Sequence, residues 1–444
     1  MVDGGWGLCP EVHSLSTISH QPNRSAAYDP GAMSIKLTLP QLQNWSCHNC
    51  GGCCRQHGIA ITEAERDRIA KQGWTEADNV PAEWFTRQRK SLRLNHRPDG
   101  SCVFLDEKGL CRIHGKFGEA AKPLACRIYP YVFHPAGGRM TVSLRYSCPS
   151  VVENLGKTAE KSRGEIAKTA KLVVPEDAQQ LPPPEVSPGE AVSWDDFRRI
   201  VDALDRTLAQ DKPLAQRLRE VVFWVGMIGQ ASLDAVRGER LGELLDVLTT
   251  AAPAELELTP ESDVSAIGAT QFRLLVAQYA RKDTEVTRAA GWRGRLTMFK
   301  AGLAWAGGKG VATPFQDGYA EVPFDRIETG DWPLPAEADE LLTRYLRTKV
   351  RGLHFCGRGY YGVPLAEGWA SLALCVCSVA WLARWSALSA GREAITKDDL
   401  VRGVTTADHH HGFSDALATR ASRKRVQLLT RANEVDALVR RYVA

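Results

Sequence analysis

Eight cysteines in the first third of the chain have the spacing of metal ligands. They are Cys47, Cys50, Cys53, Cys54, Cys102, Cys111, Cys126 and Cys148. Thiolates are preferred ligands of zinc and iron, and Cys-x-x-Cys is a short spacing at which two sulfurs can reach one ion. Because the chain has only twelve cysteines, this concentration predicts a metal site rather than a set of unrelated buried thiols.

The first motif, Cys47-His-Asn-Cys50-Gly-Gly-Cys53-Cys54, limits how the ligands can be arranged. Two consecutive glycines favour a loop that wraps around an ion over a helix face lined with cysteines. The side chains of Cys53 and Cys54 diverge because these residues are neighbours, so the two cannot easily bind the same ion. The motif therefore predicts a polynuclear centre or two adjacent centres.

The number of thiols suits two kinds of centre. Eight match two tetrahedral four-cysteine sites, or one four-cysteine iron–sulfur cluster with spare ligands. Spacing does not distinguish zinc from iron–sulfur, since both suit thiolates. Such a site carries net negative charge, which the neighbouring basic residues could offset: Arg55, Arg112, Lys122 and Arg127. His114, three residues after Cys111, is either a further ligand or a hydrogen-bonding residue.

The cysteine motifs and their flanking residues resemble the CxxCxxCC family of zinc- or iron-chelating proteins, also called YkgJ-type cysteine-cluster proteins. After the first motif, the similar segments are Cys102-Val-Phe-Leu105, Cys111-Arg-Ile-His114 and Lys122-Pro-Leu-Ala-Cys126-Arg-Ile-Tyr-Pro130. The resemblance covers roughly residues 44–150, about a quarter of the chain. It implies a metal or iron–sulfur centre.

Flagellin lysine-N-methylases belong to that family, and they resemble this chain in having a longer helical region after the cysteines. The resemblance implies S-adenosylmethionine as a cofactor and a protein lysine as the methyl acceptor. The sequence shows neither the three-cysteine motif of radical S-adenosylmethionine enzymes nor the glycine-rich strand-turn-helix of Rossmann-fold methyltransferases. Two hypotheses stay open, an enzyme supported by the cluster and a non-catalytic protein in which the metal is structural or is being handled.

Four other segments contain residues that could do chemistry, and each also has a structural explanation. In Asp408-His-His-His411 adjacent side chains cannot all face one ion, which favours a polar loop. Cys375 and Cys377 lie in an apolar helical run and are predicted to be buried thiols. Cys356, in a loop rich in Gly, Arg and Tyr, is the best pocket candidate of the C-terminal half. Gly307-Gly-Lys-Gly310 follows helical sequence, which indicates a helix end rather than a cofactor loop.

Composition and charge argue against several classes of partner. Apolar residues make up 44% and charged residues 24%, as in a globular protein. The net charge of +4 is spread without basic blocks, so no nucleic-acid partner is predicted. The longest apolar run, Gly368–Ala383, is shorter than the ~20 residues of a membrane span, which predicts a buried core helix and no membrane. The N-terminus lacks secretory features. We therefore expect a cytoplasmic protein whose partners are the metal or cluster and, for an enzyme, a protein substrate.

The chain is predicted to divide into four segments. Residues 1–38 form a disordered extension, with Met33 as an alternative start. Residues 39–150 form the cysteine-cluster metal-binding domain, and residues 151–192 a helix and a proline-rich linker. Residues 193–444 form an α-helical domain.

Local signals predict where individual elements begin. Thr62 and Glu65 form a capping box that opens a helix, and Ser193 and Thr396 are N-caps of two more. The alternation in Met140–Tyr146 after a Gly-Gly-Arg turn predicts a β-hairpin. Further helical patterns cover 151–170, 215–228, 233–249, 271–281, 337–351 and 365–388. The predicted fold class is mainly α, with a small irregular cysteine-cluster domain carrying a short β-hairpin, followed by an α-helical domain.

Overall fold

The computed structural model describes residues 36–88, 91–174, 178–282, 292–431 and 433–444. The predicted disordered extension lies outside the described residues as far as residue 35. The strands are β1 (Leu37–Thr38), β2 (Asn44–Trp45), β3 (Ala60–Ile61), β4 (Phe85–Gln88), β5 (Ser91–Leu94), β6 (Tyr131–Pro135), β7 (Met140–Leu144), β8 (Lys157–Thr158), β9 (Val311–Ala312) and β10 (Val322–Pro323).

The helices confirm a mainly α fold in which a strand-containing region precedes a helical one. They are α1 (Gly52–Gln56), α2 (Glu63–Ala70), α3 (Arg112–Phe117), α4 (Leu124–Ile128), α5 (Pro149–Val152), α6 (Arg163–Ala170), α7 (Trp194–Leu208), α8 (Leu214–Ile228), α9 (Glu239–Leu258), α10 (Ala266–Tyr279), α11 (Trp292–Gly307), α12 (Phe324–Glu328), α13 (Ala338–Arg351), α14 (Leu365–Ser389), α15 (Lys397–His410), α16 (Arg420–Arg431) and α17 (Glu434–Tyr442). We call residues 39–150 the cysteine region and residues 193–444 the helical region.

Two small sheets hold the cysteine region together. The order of one is β3-β5-β4, and in the other β6 and β7 form the predicted hairpin while β1 adds in parallel to β7. The turn between the hairpin strands includes Gly137, whose φ of 69° lies in the left-handed region that favours glycine. All five residues of β7 are buried. The hairpin therefore lies at the boundary where the cysteine region packs against the helical region.

The predicted capping box at Thr62 is confirmed and has a second use. The Thr62 side chain accepts a hydrogen bond from the Glu65 backbone N–H (3.2 Å), and Glu65 accepts one from the Thr62 N–H (2.8 Å). The other Glu65 carboxylate oxygen accepts from the backbone N–H of Leu124 (2.6 Å). Since Leu124 is the first residue of α4, the cap of α2 also fixes the helix that carries Cys126.

The helix predicted over residues 151–170 is wrong in its middle. α5 ends at Val152, and the chain then passes through left-handed conformations at Asn154 (φ 58°) and Gly156 (φ 101°). A Cβ at Gly156 would collide with Ser46, since the two backbones touch where β8 pairs with β2. Close approach of a distant strand therefore outweighs helix propensity in this segment.

The helical region largely follows the sequence pattern. Ser193 caps α7, where its hydroxyl accepts from the Asp196 N–H (3.1 Å), and Thr396 caps α15. Predicted helices are present as α8, α10, α13 and α14, whereas the pattern at 233–249 becomes α9, which begins only at residue 239. Gly238 before it has a φ of 60°, so the chain turns there before the helix starts. Helices α12, α16 and α17 were not predicted.

Helix α14 is the centre of the helical region. It is long and apolar enough to cross a membrane by length and composition, with a mean hydropathy of 1.6 over its most apolar window, and 89% of that window is buried inside the structure. Tryptophans 369, 381 and 385 on it are at most 1% exposed. Its neighbours α8, α10, α15 and α17 pack around it. In this structure the helix is the hydrophobic core of the region.

A buried polar junction joins the two regions. Arg344 of α13 donates to the backbone carbonyls of Val151 (3.2 Å) and Val152 (2.8 Å) and to the side-chain oxygen of Gln43 (3.2 Å). The Tyr146 hydroxyl donates to that same Gln43 oxygen (2.5 Å). Buried groups of the two regions therefore satisfy one another's hydrogen bonds across the boundary.

Candidate metal centre

The first cysteine motif folds as a turn followed by a short helix. Asn49 (φ 55°) and Gly51 (φ 67°) adopt left-handed conformations, and α1 begins directly after them. Cys50 therefore precedes the helix, while Cys53 and Cys54 lie within it. This agrees with the expectation that the glycines prevent the cysteines from lining one helix face.

Five thiols from separate segments lie close enough for their charges to act on one another. They belong to Cys53 and Cys54 on α1, Cys102 in the loop after β5, Cys111 at the start of α3 and Cys126 on α4. The Cys53 and Cys54 sulfurs are 4.0 Å apart, and the Cys102 backbone N–H donates to the Cys54 carbonyl (2.7 Å). We call these five residues the main thiol group.

Burial and mutual repulsion keep most of the main thiol group protonated in the absence of a cation. Burial raises the pKa of Cys102 to about 12, and the nearby Cys111 and Cys53 thiols add to that effect. Burial also raises the pKa of Cys126 well above its usual range, and Cys102 raises it further. These thiols repel one another as thiolates, so a bound cation would remove the penalty.

Cys53 is the exception in the main thiol group. A hydrogen bond from Cys54 lowers the pKa of Cys53 to about 7, and the positive charge of Lys122 lowers it too. The Cys54 pKa is raised in turn, chiefly because Cys54 is the donor in that bond. A thiolate at Cys53 is the form in which sulfur binds a metal.

Cys50 and Cys148 form a second, smaller thiol group beside the first. Burial raises the pKa of Cys148 and the Cys50 thiol adds to the effect, which places the two near each other. A Cβ at Gly52 would lie 3.4 Å from the Cys50 sulfur, so a larger residue there would crowd that thiol. Cys47 is exposed, and its thiol contacts the Asn49 side chain (3.6 Å).

Tyr129 lies near one thiol of each group. Burial raises its pKa well above the usual range, and Cys148 and Cys53, one from each group, raise it further. Its hydroxyl is 3.2 Å from that of Ser147. The sequence did not single out Tyr129 as a site residue, although it stands in the segment that carried the family resemblance.

Of the four basic residues expected to offset the thiolate charge, Lys122 does so directly, since it lowers the pKa of Cys53 and of Cys126. Arg55 forms an exposed ion pair with Asp99 (3.7 Å), and Arg112 pairs with Glu107 (2.7 Å). Arg97, which was not predicted, lowers the pKa of Cys102. The positive charge near the main thiol group therefore comes partly from outside the motif.

The cysteine thiols suit a thiophilic cation, but their side chains do not converge on a common point in this structure. In the described part of the chain, no group of three or more His, Cys, Asp or Glu side chains is arranged to hold an ion as it stands. All eleven described cysteines are free thiols. Soft sulfur donors that lie close together select zinc or iron over hard cations. Binding would require rotation of cysteine side chains onto a common point.

Comparison with known proteins agrees with this chemistry. Residues 46–149 match the model of the CxxCxxCC family, which describes a zinc- or iron-chelating domain. We call this matched segment the CxxCxxCC domain. No curated protein and no solved structure matches the chain significantly. The domain accounts for metal binding, and its boundaries include all eight predicted cysteines.

The exposure of the side chains bears on three other residues or pairs that the sequence singled out. His114 is exposed on α3. Cys375 and Cys377 are fully buried in α14, as predicted. Cys356 is 1% exposed, and its loop packs against α14, where the Tyr360 hydroxyl lies 2.5 Å from that of Ser371. The loop is therefore part of the core rather than an open pocket.

The polar loop predicted at 408–411 is wrong. These residues form the end of α15 and its C-cap, and all four are buried. Asp408 Oδ1 lies 2.5 Å from the Lys349 ammonium, and both side chains are 0% exposed. Asp408 Oδ2 accepts from the Ser147 backbone N–H (3.1 Å), next to Cys148 of the CxxCxxCC domain. The histidine run is buried because Asp408 holds this helix end against the domain.

Histidines surround the buried Lys349–Asp408 pair. His354 Nδ1 lies 3.0 Å from the Lys349 ammonium, and the rings of His354 and His134 are 5.2 Å apart. Tyr279 contacts His411 Nδ1 (2.9 Å). The Nε2 atoms of His134, His354 and His411 are buried and have no hydrogen-bond partner among the described residues. Burial lowers the pKa of His134 to about 3 and those of His354 and His411 well below their usual range.

Removing one thiol from either group is expected to reduce the metal content of the purified protein. Cys126→Ala removes a thiol from the main thiol group and Cys50→Ala one from the smaller group, whereas Cys377→Ala removes a core thiol of α14. We expect the first two variants to lose metal and the third to retain it, as measured by metal analysis of anaerobically purified protein. Equal metal content in all three would show that the ligands lie elsewhere.

Proposed function

We propose that this protein is a zinc or iron–sulfur protein in which the CxxCxxCC thiols hold the metal and the centre supports an enzyme. The observation that carries the proposal is the main thiol group, five free thiols brought together from four separate segments. The Cys102–Cys54 backbone hydrogen bond and the Glu65–Leu124 bond fix those segments relative to one another. The proposal includes a cytoplasmic location, where such thiols stay reduced.

The residues that would hold the metal divide between the two groups. The main thiol group supplies enough sulfur for one four-thiolate centre, and Cys50 and Cys148, with Cys47, supply a second or remain spare ligands. An iron–sulfur cluster would supply electron transfer, whereas a four-thiolate zinc would hold the fold. Lys122 stabilises the thiolate of Cys53.

The enzyme hypothesis assigns protein-lysine methylation to the helical region, with S-adenosylmethionine as the methyl donor. It is supported by the resemblance to flagellin lysine-N-methylases. Binding of S-adenosylmethionine to the metal-loaded protein, measured by calorimetry, is the expected result. A protein with full metal content that does not bind this cofactor would reject the methylase and leave the metal centre standing.

The alternative is a protein in which the metal is structural or is being handled, and one observation favours it. Cys102 is buried in an apolar cluster with Val103 and Phe104, and Cys54 and Cys111 pack against that cluster. Structural zinc sites are closed in this way, whereas catalytic ones keep an open coordination position. If S-adenosylmethionine still binds after the metal has been removed, the metal is not required for cofactor binding. This result would separate a structural role of the metal from a role in the enzyme.

An absorption spectrum of anaerobically purified protein, together with metal analysis, decides the kind of centre. Iron with inorganic sulfide and a brown colour from sulfur-to-iron charge transfer is expected for an iron–sulfur cluster. Colourless protein with stoichiometric zinc is expected for the zinc form. Protein that contains neither metal, even after reconstitution under reducing conditions, would overturn the proposal.

A further inference from the structure

Helix α11 carries large apolar side chains on its outward face as well as on its inward face. On the inward face, the ring centroid of Trp305 lies 5.2 Å from that of Trp381 and 5.6 Å from that of Trp385, both on α14. Three apolar side chains lie on the outward face and are 46%, 63% and 58% exposed, in chain order Leu296, Phe299 and Leu303. We call these three residues the outer stripe.

The outer stripe is more than scattered surface exposure. Its members are spaced by three and then four residues, so they share one helix face, and the stripe runs for about 10 Å along the helix. Single exposed apolar residues are ordinary on a protein surface, whereas a contiguous apolar patch marks a contact with a partner or a membrane. Because Trp305 already fixes α11 to the core, the fold does not account for the outer stripe.

The surroundings of the outer stripe are basic. From Val286 to Gln316 the chain contains no Asp or Glu, and it contains five basic residues: Arg288, Arg293, Arg295, Lys300 and Lys309. Lys300 and Lys309 are exposed, and neither forms an ion pair with another residue that the structure describes. Helix α10, against which α11 packs, also lacks acidic residues. No carboxylate on either helix therefore offsets this positive charge.

We propose that α11 docks on the surface of a membrane that contains anionic lipids. The outer stripe enters the boundary between headgroups and acyl chains, and Lys300 and Lys309 bind the lipid phosphates. A bilayer offers negative charge and apolar depth in one continuous surface, which matches both features of α11. A protein groove would have to enclose the helix, whereas its inner side is already packed on α14. A flat bilayer needs only the outward face.

This contact is peripheral, and it departs from the expectation of no membrane partner. That expectation depended on the length of the apolar run Gly368–Ala383 and concerned a membrane-spanning segment. A helix that lies in the plane of the interface needs no such length. The docking of α11 does not depend on which metal is bound or on the methylase hypothesis.

Co-sedimentation of the full-length, metal-loaded protein with lipid vesicles tests the contact. We expect binding to vesicles of equal parts phosphatidylglycerol and phosphatidylcholine, and binding at least about tenfold weaker to pure phosphatidylcholine. Phe299→Ser should weaken binding to the anionic vesicles about tenfold, since it removes a large apolar side chain from the bilayer contact. Lys300→Ser should weaken it about fivefold, since it removes one cation near an anionic surface.

Leu258→Ser is the matched control for Phe299→Ser. Leu258, the last residue of α9, is 78% exposed, but the same helical turn carries Glu255 and Glu257, which an anionic surface repels. The control should bind vesicles like the wild type. Because the three replaced side chains are exposed, circular dichroism and metal content should match the wild type in every variant.

The proposal is overturned if the protein does not bind anionic vesicles, or if it binds both kinds of vesicle equally. It is also overturned if Phe299→Ser binds as tightly as Leu258→Ser. The outer stripe could instead join two copies of this chain. Light scattering would then show a wild-type dimer that Phe299→Ser converts to a monomer, with no binding to vesicles, and this result would likewise reject the membrane contact.

Discussion

Replacing Lys349 by methionine is expected to lower the free energy of unfolding by about 3–5 kcal/mol. Lys349 and Asp408 are fully buried with their charged atoms 2.5 Å apart. The substitution leaves the Asp408 carboxylate without its counter-charge, although the Ser147 N–H and the Tyr345 hydroxyl still donate to it. Desolvation of an uncompensated buried charge costs far more than the methionine gains in apolar contact.

Urea unfolding followed by circular dichroism measures this loss as a lower midpoint with an unchanged slope. Arg326→Met is the control, because its ion pair is 53% and 83% exposed at the two side chains and should change stability by less than about 1 kcal/mol. The double variant Lys349→Met with Asp408→Asn should recover much of the loss, since no buried charge remains. Equal midpoints for the Lys349 and Arg326 variants would contradict the role assigned to the buried pair.

Acidification from about pH 7.5 to about pH 5.5 is expected to cost about 4 kcal/mol of stability through His134, His354 and His411. Burial lowers the pKa of each in the folded protein, whereas the unfolded chain titrates near 6.5. The unfolded state therefore binds more protons as the pH falls, so stability is present above about 6.5 and is lost below it. Each histidine accounts for about 1.4 kcal/mol over this range.

Acid would also release metal from the thiols, which would lower the free energy of unfolding further. The contribution of a histidine is therefore measured with a variant. His354→Asn keeps an acceptor for the Lys349 ammonium but binds no proton. We expect its unfolding free energy to fall by about 1.4 kcal/mol less than that of the wild type over the same pH range, with metal present for both. Identical pH dependence of the two proteins would show that His354 does not remain neutral in the fold.

Local signals in the sequence predicted the starts of elements well. Thr62, Ser193 and Thr396 each cap a helix through atoms three residues away, so the information lies in one short segment. The helix predicted over 151–170 failed because Gly156 makes a close contact with Ser46, far away in the chain. Contacts between distant segments override propensity, and a single sequence does not show them.

The residues of the candidate site could be predicted from the sequence, but their spatial arrangement could not. Spacing identified the eight cysteines, but their division into two groups depends on which distant loops meet, such as those of Cys102 and Cys54. The sequence also contains an indication of the buried Lys349–Asp408 ion pair. Lys349 follows Leu342 and Tyr345 by seven and four residues, which places a lysine on the apolar face of α13. Its partner, Asp408, could not be found from the sequence alone.

The junction built on Arg344 bears on how the CxxCxxCC domain can be isolated. The guanidinium donates three buried hydrogen bonds to groups of Gln43, Val151 and Val152, which flank the matched segment 46–149 at its two ends. Hydrogen bonds of a charged donor contribute roughly 1.5–3 kcal/mol each. A fragment that ends near residue 150 forfeits them and exposes the apolar strand β7. We therefore expect such a fragment to be less stable than the same residues in the full chain.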